Sequence, residues 1–181
     1  MPGFVALLRG VNVGKANRVP MAELRELLAS LGYTNIATLL NSGNAAFDAS
    51  SASAAGHARA IATALVERVG VDVPVIVKSA KELRSVVADN PIAIDAPNHS
   101  RFLVAFAQDR KAVASLAAIE PLVVAPERFA LGRNAAYLWC AAGILESKAG
   151  SALLGKAGTA ATTRNWATVL KLQALAERQR G

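Results

Sequence analysis

The feature that most constrains the fold of this chain is a strand, a cationic loop and a helix that follow one another within its first 32 residues. Residues 4–8 are an apolar run with the length of one buried strand. After a polar loop over residues 9–18, Pro20 stands where a first helical residue is expected, because its missing N–H is not needed there. Leucines then recur at helical spacing as far as Gly32, which is expected to end the helix. The pattern therefore predicts one strand–loop–helix unit at the start of the chain.

The segments that follow extend this unit to the order β-α-β-β-α-β, that of a ferredoxin-like domain. A β-hairpin is predicted over residues 36–47, with its tip at the turn signal Ser42-Gly43. Residues 57–69 are predicted to form a helix and residues 73–78 a further strand. Because a helix crosses between the first two strands, both strands point the same way. The loop after the first strand and the hairpin tip are therefore expected at the same end of the sheet.

A similar order recurs after a loop at residues 95–100. There the predicted elements are strands over residues 101–106, 122–131 (with a bulge or edge at Pro126) and 136–140 and helices over residues 110–116, 148–154 and 163–178. The sequence thus predicts an α+β fold of two ferredoxin-like halves, β-α-β-β-α-β and a partial β-α-β-β-α, with mixed or antiparallel sheets covered by helices. The corresponding domains are residues 1–90 and residues 91–181.

Composition indicates an ordered globular protein, since 53% of the residues are hydrophobic and 18% are charged. No apolar run approaches the roughly 18 residues that would cross a bilayer, and residues 4–8 are too few for the apolar part of a signal peptide. The single cysteine, Cys140, excludes an internal disulfide framework and fits a reducing compartment. We therefore expect a cytoplasmic protein with no membrane partner.

The first candidate site is an anion site at the shared end of the first sheet. The net charge of +7 favours anionic partners, and the loop offers cations while the loop and the hairpin tip offer side-chain amides. Free N–H groups at the start of the Pro20 helix would add a favourable dipole. In the opposing interpretation the asparagines and glycines only shape turns. The candidate ligand-binding residues are Arg9, Asn12, Lys15, Asn17, Arg18, Asn41, Ser42 and Asn44.

A second candidate anion site precedes the last predicted helix. Thr162 or Thr163 is expected to cap this helix, whose free N–H groups would then face an anion. The alternative is an ordinary cap with Arg164 exposed to solvent, since charge runs are usually solvated. The candidate residues are Lys156, Thr162, Thr163, Arg164 and Asn165.

No catalytic residue, metal or cofactor is predicted. His57 and His99 lie beside flexible segments and have no metal-ligand spacing with Cys140, so we expect two surface histidines and an inert buried thiol. Residues 150–156 match the first positions of a phosphate-binding P-loop. However, Ala157 replaces the Ser or Thr that would hold magnesium, and no strand directly precedes the match.

Two segments carry a resemblance to a known family. The stretch LLRGVNVGKANRVPMAELRELLASLGYTNIATLLNSGNAAF, together with ATTRNWATVLKL near the end, resembles the bacterial family called domain of unknown function 1697. The resemblance spans nearly the whole chain. It implies an α+β protein without an established activity, and it supplies no catalytic residues to carry over.

Three functions are open at this point. The leading hypothesis is binding of an anionic ligand, either a nucleotide or a nucleic-acid phosphate, at the cationic loop. The alternatives are a small-molecule enzyme of unknown reaction, for which no general acid or base is evident, and a protein-interaction or scaffolding module. The sequence does not predict the oligomeric state.

Overall fold

The computed structural model describes residues 2–50 and 53–178 of the chain, which form two compact units. The first unit takes in the chain up to Leu83 together with the segment from Leu172 onward, and the second is Arg84–Lys171. The proposed domains, residues 1–90 and 91–181, stay a prediction, and their residues 1, 51, 52 and 179–181 lie outside the described part of the chain.

The first unit contains a four-stranded antiparallel sheet with the strand order β2-β3-β1-β4. Its elements are β1 (Gly3–Leu8), α1 (Met21–Ser30), β2 (Thr34–Thr38), β3 (Asn44–Asp48), α2 (Ala54–Val69) and β4 (Val75–Ser79). This order and pairing are ferredoxin-like, which confirms the predicted β-α-β-β-α-β half. Because β1 and β2 are both antiparallel to β3, the loop after β1 and the β2–β3 turn lie at the same end of the sheet.

The core of the first unit lies between this sheet and the helices α1 and α2. Leu24, Leu27 and Leu28 of α1 belong to one buried cluster with Phe4 of β1 and Phe47 of β3. The three leucines are the apolar face that their helical spacing predicts. Burial of this face fixes how α1, and with it the end of the preceding loop, is seated on the sheet.

The second unit contains a second antiparallel sheet, with the order β6-β7-β5-β8. This order equals that of the first sheet when the strands are counted from β5. The elements from residue 80 onward are α3 (Ala80–Ala88), β5 (Phe102–Ala107), α4 (Arg110–Ser115), β6 (Arg128–Leu131), β7 (Ala135–Trp139), α5 (Lys148–Leu154), β8 (Ala161–Asn165) and α6 (Trp166–Arg178).

The strand β8 corrects two expectations drawn from the sequence. The second half is a complete β-α-β-β-α-β unit rather than a partial one, and the last helix begins at Trp166 rather than at residue 163. Ala161–Asn165 pairs with β5 along its whole length. Threonine suits both a strand and a helix cap, so the local sequence of Thr162 and Thr163 did not decide between the two. The pairing with β5, a strand far away along the chain, makes this segment a strand.

Candidate functional site

The loop after β1 folds back on itself as a small hairpin. Its turns depend on left-handed backbone at Gly10, Asn12, Gly14 and Asn17, with φ of 69°, 58°, 64° and 52°. The Asn12 N–H donates to the carbonyl oxygen of Asn17 at 3.0 Å, and a single β-bridge closes the tip. Glycine and asparagine tolerate these angles best, which explains their density in the loop.

The side chain of Asn12 joins three segments at the end of the first sheet. Its Nδ2 donates to the carbonyl oxygens of Val19 at 2.8 Å and Asn41 at 2.6 Å, and its Oδ1 accepts from the Val19 N–H at 2.8 Å. The loop, the start of α1 and the β2–β3 turn are therefore held together by one amide. This is the proximity of the two segments that the topology predicts.

The β2–β3 turn is held by a buried asparagine. Asn44 donates through Nδ2 to the carbonyl oxygen of Leu39 and to Oγ of Ser42, both at 2.9 Å. The Leu8 N–H also donates to the carbonyl oxygen of Gly43 at 2.9 Å. The amides of Asn12 and Asn44 thus stabilise the backbone of the site rather than facing solvent. For these two residues the turn-shaping interpretation is the better one.

A depression of about 320 Å³ opens between the loop and the start of α1. Arg18 lines it, and the exposed Lys15 belongs to the same loop. Arg9 is half-buried at the end of β1, and this burial lowers the pKa of its guanidinium from the ordinary value. The lining residues are Asn12, Arg18, Val19, Pro20, Met21 and Asn41. Arg9, Lys15, Asn17, Ser42 and Asn44 are not among them.

Three lining residues were missed by the sequence analysis: Val19, Pro20 and Met21. They carry no charge or side-chain amide, so nothing in their chemistry marks them as part of a site. The only available signal was their position, directly between the cationic loop and the predicted helix. Pro20 was recognised for its effect on the helix start and not for its place beside a ligand.

The start of α1 differs from the start of every other α-helix in the described part of the chain. Pro20 occupies the N-cap position of α1, and no side chain accepts a hydrogen bond from the first-turn N–H groups. Each of the other helices has a side-chain acceptor for such a group. These caps are Ser53, Ser79, Asp109, Ser147 and Asn165. The depression beside α1 therefore borders backbone donors that lack a side-chain acceptor.

The residues of the second candidate site are differently arranged from the prediction. Thr162 and Thr163 lie in β8 and cap nothing, since Asn165 accepts the α6 hydrogen bond from the Thr168 N–H at 2.9 Å. Arg164 is buried and donates to Thr162 Oγ1 at 2.7 Å and to the carbonyl oxygen of Thr163 at 3.0 Å. Burial lowers its pKa to about 10. The expected exposed cation is therefore a buried one, and only Lys156 of this group is exposed.

His57 is buried, so the expectation of a surface histidine is wrong for this residue. Its Nδ1 lies 2.8 Å from the hydroxyl oxygen of Tyr33, and the rings of Phe4, Tyr33 and Phe47 surround it. Cys140 is buried as expected, and burial raises the pKa of its thiol. Within residues 2–50 and 53–178, no group of three or more His, Cys, Asp or Glu side chains could hold a metal ion.

The paired strand orders and the polar loop after β1 define an α+β protein of two ferredoxin-like halves. The chain belongs to the family described as Protein of unknown function (DUF1697), whose family model matches residues 1–137. It is also similar to a solved structure, that of the conserved bacterial protein SP0830 from Streptococcus pneumoniae. The two are 23% identical with a TM-score of 0.80, over 97% of this chain and 98% of that one.

An identity of 23% supports a shared fold and carries no argument about activity. No curated protein matches the chain. None of the helices in the described residues is both long and apolar enough to cross a membrane.

Proposed function

We propose that the protein binds a small phosphate-bearing anion at the depression beside the start of α1. The observation that carries this proposal is the missing side-chain cap of α1, in a chain whose other described α-helices are all capped by side chains. Free N–H groups at a helix start attract anions, because the helix dipole places partial positive charge there. A bound anion would fill the role that a capping side chain has elsewhere in the chain.

The charges around the depression support the same ligand class. Arg18 lines it, and Lys15 and Arg9 flank it along the chain. A guanidinium suits phosphate because it donates two parallel hydrogen bonds. Glu23 is an opposing charge in the first turn of α1, but it is exposed and does not line the depression. Three cations against one carboxylate favour an anionic ligand.

The size and lining of the depression favour recognition of phosphate over recognition of a base. Its volume of about 320 Å³ falls at the small end of ligand pockets. None of its lining residues is aromatic, so a base has no stacking partner there. The lining also includes no His, Asp, Glu or Cys, and therefore gives no support to the alternative of an enzyme with a general acid or base at this site.

Titration of the full chain with inorganic phosphate, ATP and a short oligonucleotide, each at low and high salt, tests the proposal. We expect all three to bind weakly, with the oligonucleotide most sensitive to salt because it releases counterions. A Lys15→Ala, Arg18→Ala double variant should bind each of them at least about tenfold more weakly, as expected when two charge-assisted contacts are lost. An Arg59→Ala, Lys111→Ala variant removes the same charge from exposed positions outside the depression and should bind like the wild type.

Two results would contradict the proposal. If the wild type binds none of the three probes, no anion site exists under these conditions. If the Lys15, Arg18 variant binds as well as the charge-matched control, the anion lies elsewhere, and Lys156 is the next residue to substitute because it is the exposed cation of the second candidate group.

A further inference from the structure

A larger cavity lies wholly within the second unit, where the segment before β6 meets the segment after β7. Its volume is about 390 Å³, against about 320 Å³ for the depression beside α1. The lining residues are Val124, Ala125, Pro126, Glu127, Ala141, Ala142, Glu146 and Lys148. None of these residues belongs to either candidate site predicted from the sequence. The cavity shares no residue with the proposed anion site.

The walls of this cavity are mainly aliphatic. Three alanines, Val124 and Pro126 supply them, and Val124 is 62% exposed. Leu145, the neighbour of Glu146 along the chain, is 94% exposed. Single exposed aliphatic side chains are common on protein surfaces, but here two of them lie at or next to one cavity. An apolar ligand body would find contacts on these walls.

The charged side chains that line the cavity carry a net charge opposite in sign to that of the whole protein, and the nearby Arg101 donates to the carbonyl oxygen of the lining residue Ala141 at 3.1 Å. Two carboxylates, Glu127 and Glu146, line it together with one ammonium group, Lys148, in a chain of net charge +7. Within the described residues none of the three forms an ion pair, although Oε1 of Glu127 accepts from the Val124 N–H at 3.2 Å. The negative charge of Glu127 also contributes to the raised pKa of the buried Cys140 thiol. A cationic ligand would complement this local excess of negative charge.

We propose that this cavity binds a primary amine with a short aliphatic body. The ammonium group of such a ligand would donate to the carboxylates of Glu127 and Glu146, and its alkyl chain would cover the alanines, Val124 and Pro126. A quaternary ammonium is a poorer fit, because no aromatic ring lines the cavity to face its methyl groups. This site is independent of the anion site and has the opposite charge preference.

Three ligands with the same branched alkyl body but different head groups test the charge preference: 3-methylbutylamine, leucine and 4-methylpentanoate. Each is titrated into the full ¹⁵N-labelled chain while amide chemical shifts are recorded. We expect the amine to bind at about millimolar concentration, as is usual for so few non-hydrogen atoms, and to shift amides of residues 124–127 and 141–148. The carboxylate should bind at least about fivefold more weakly, because it meets two like charges. Equal binding of amine and carboxylate, or no binding of the amine at about 10 mM, would overturn the proposal.

A pair of double variants locates the site. Glu127→Gln, Glu146→Gln should weaken amine binding about fivefold to tenfold, while the amide oxygen at position 127 still accepts from the Val124 N–H and preserves the segment. Glu67→Gln, Glu120→Gln removes the same charge from exposed positions outside the cavity and should leave amine binding within about twofold. If both variants bind the amine like the wild type, or both lose it equally, the assignment to Glu127 and Glu146 is wrong.

Discussion

Asn12 is the residue on which the loop after β1 depends, because its single amide holds the backbone of Val19 and the backbone of Asn41 at once. The residue also adopts left-handed backbone, which asparagine tolerates better than alanine does. Its contribution is therefore geometric: it keeps Arg18 and the start of α1 beside the depression. In the proposed anion site the cations would supply the charge, and Asn12 holds the backbone around them.

Asn12→Ala should destabilise the chain by about 1–3 kcal/mol, since three hydrogen bonds are lost and alanine is strained at this φ. Urea unfolding followed by circular dichroism measures the change. Asn41→Ala is the matched control, because Asn41 contributes its carbonyl oxygen to the contact and keeps it after substitution. A loss of stability as large in the control as in Asn12→Ala would mean that the Asn12 side chain is not the link.

Gly43 provides a second test at the residue scale. A Cβ at this position would lie 2.7 Å from both Leu8 Cβ and Val11 Cγ2, and φ is 85°. Gly43→Ala should therefore cost about 2–4 kcal/mol through overpacking and backbone strain together. At Gly32 φ is also 85°, but a Cβ would meet nothing within 4 Å. Gly32→Ala should cost only about 1 kcal/mol, and equal unfolding midpoints for the two variants would contradict the packing argument.

Tyr137 makes the stability of the folded chain fall as the pH becomes alkaline. Burial raises the pKa of its hydroxyl from 10.0 to about 12, and the negative charge of Asp89 adds to the increase. The folded chain therefore keeps a proton that the unfolded chain loses above pH 10, so the stability from this group is full below pH 10 and falls as pH rises toward about 12. Tyr137→Phe should reduce the slope of stability against pH in this window.

At neutral pH the same variant should cost about 1 kcal/mol, because the Tyr137 hydroxyl donates to the carbonyl oxygen of Val86 at 2.6 Å. Thermal unfolding of wild type and variant across the window measures both effects. Tyr33→Phe serves as the comparison, because burial also raises the pKa of Tyr33. This variant keeps the Tyr137 hydroxyl and therefore its contribution to the alkaline slope. A Tyr137→Phe variant with an unchanged alkaline slope would assign the effect to other groups.

At the scale of elements, the boundary between β8 and α6 differs from the predicted one, because the helix begins at Trp166 and not at residue 163. Asn165 caps the helix, whereas Thr163, one of the two predicted caps, has a buried Oγ1 with no hydrogen-bond partner among the residues that the structure describes. Asn165→Ala should destabilise the chain by about 1 kcal/mol through loss of the cap. Thr163→Val should be neutral or stabilising, because it removes an unsatisfied hydroxyl and keeps the shape of the side chain. If Thr163→Val lowered the unfolding midpoint more than Asn165→Ala, the result would support a helix that begins at residue 163.

Local signals were sufficient for elements whose pattern is strong. The spaced leucines of α1 predicted its buried face, and Ser42-Gly43 located the β2–β3 turn. The signals failed where partners far along the chain decide the outcome, as for Thr162 and Thr163, which pair with β5, and for His57, which is enclosed by rings from three other segments. Of the residues that line the depression, Asn12, Arg18 and Asn41 are among the predicted site residues. Val19, Pro20 and Met21 are not, because apolar lining residues look like any others in a sequence.

At the scale of the whole molecule, the first unit is made of two separate stretches of chain. The chain leaves it after Leu83 and returns to it at Leu172. Leu172 and Ala176 are buried, and a Cβ at Gly3 would lie 3.9 Å from the carbonyl oxygen of Ala176. The end of α6 therefore packs by the start of β1, and the first unit is incomplete until the C-terminal part of the chain has been made.

Leu172→Ala should cost about 2–5 kcal/mol, because the side chain is fully buried and the substitution leaves a cavity. Amide hydrogen exchange should show the loss in β1 and β4 of the first unit. Leu154→Ala is the control, since this leucine is 51% exposed and its truncation should cost well under 1 kcal/mol. Faster exchange confined to the second unit would contradict the assignment of Leu172 to the first.

The two sheets share one strand order, yet the connections at equivalent places differ greatly in length. β1 reaches α1 through residues 9–20, whereas β5 reaches α4 through Gln108 and Asp109 alone, and Asp109 caps the helix. The short connection demonstrates that the long one is not needed to close such a sheet. Residues 9–20 are thus longer than such a connection has to be, yet Val11 and Val19 within them are buried in the core of the first unit. Shortening this segment would therefore remove core residues together with the surface loop.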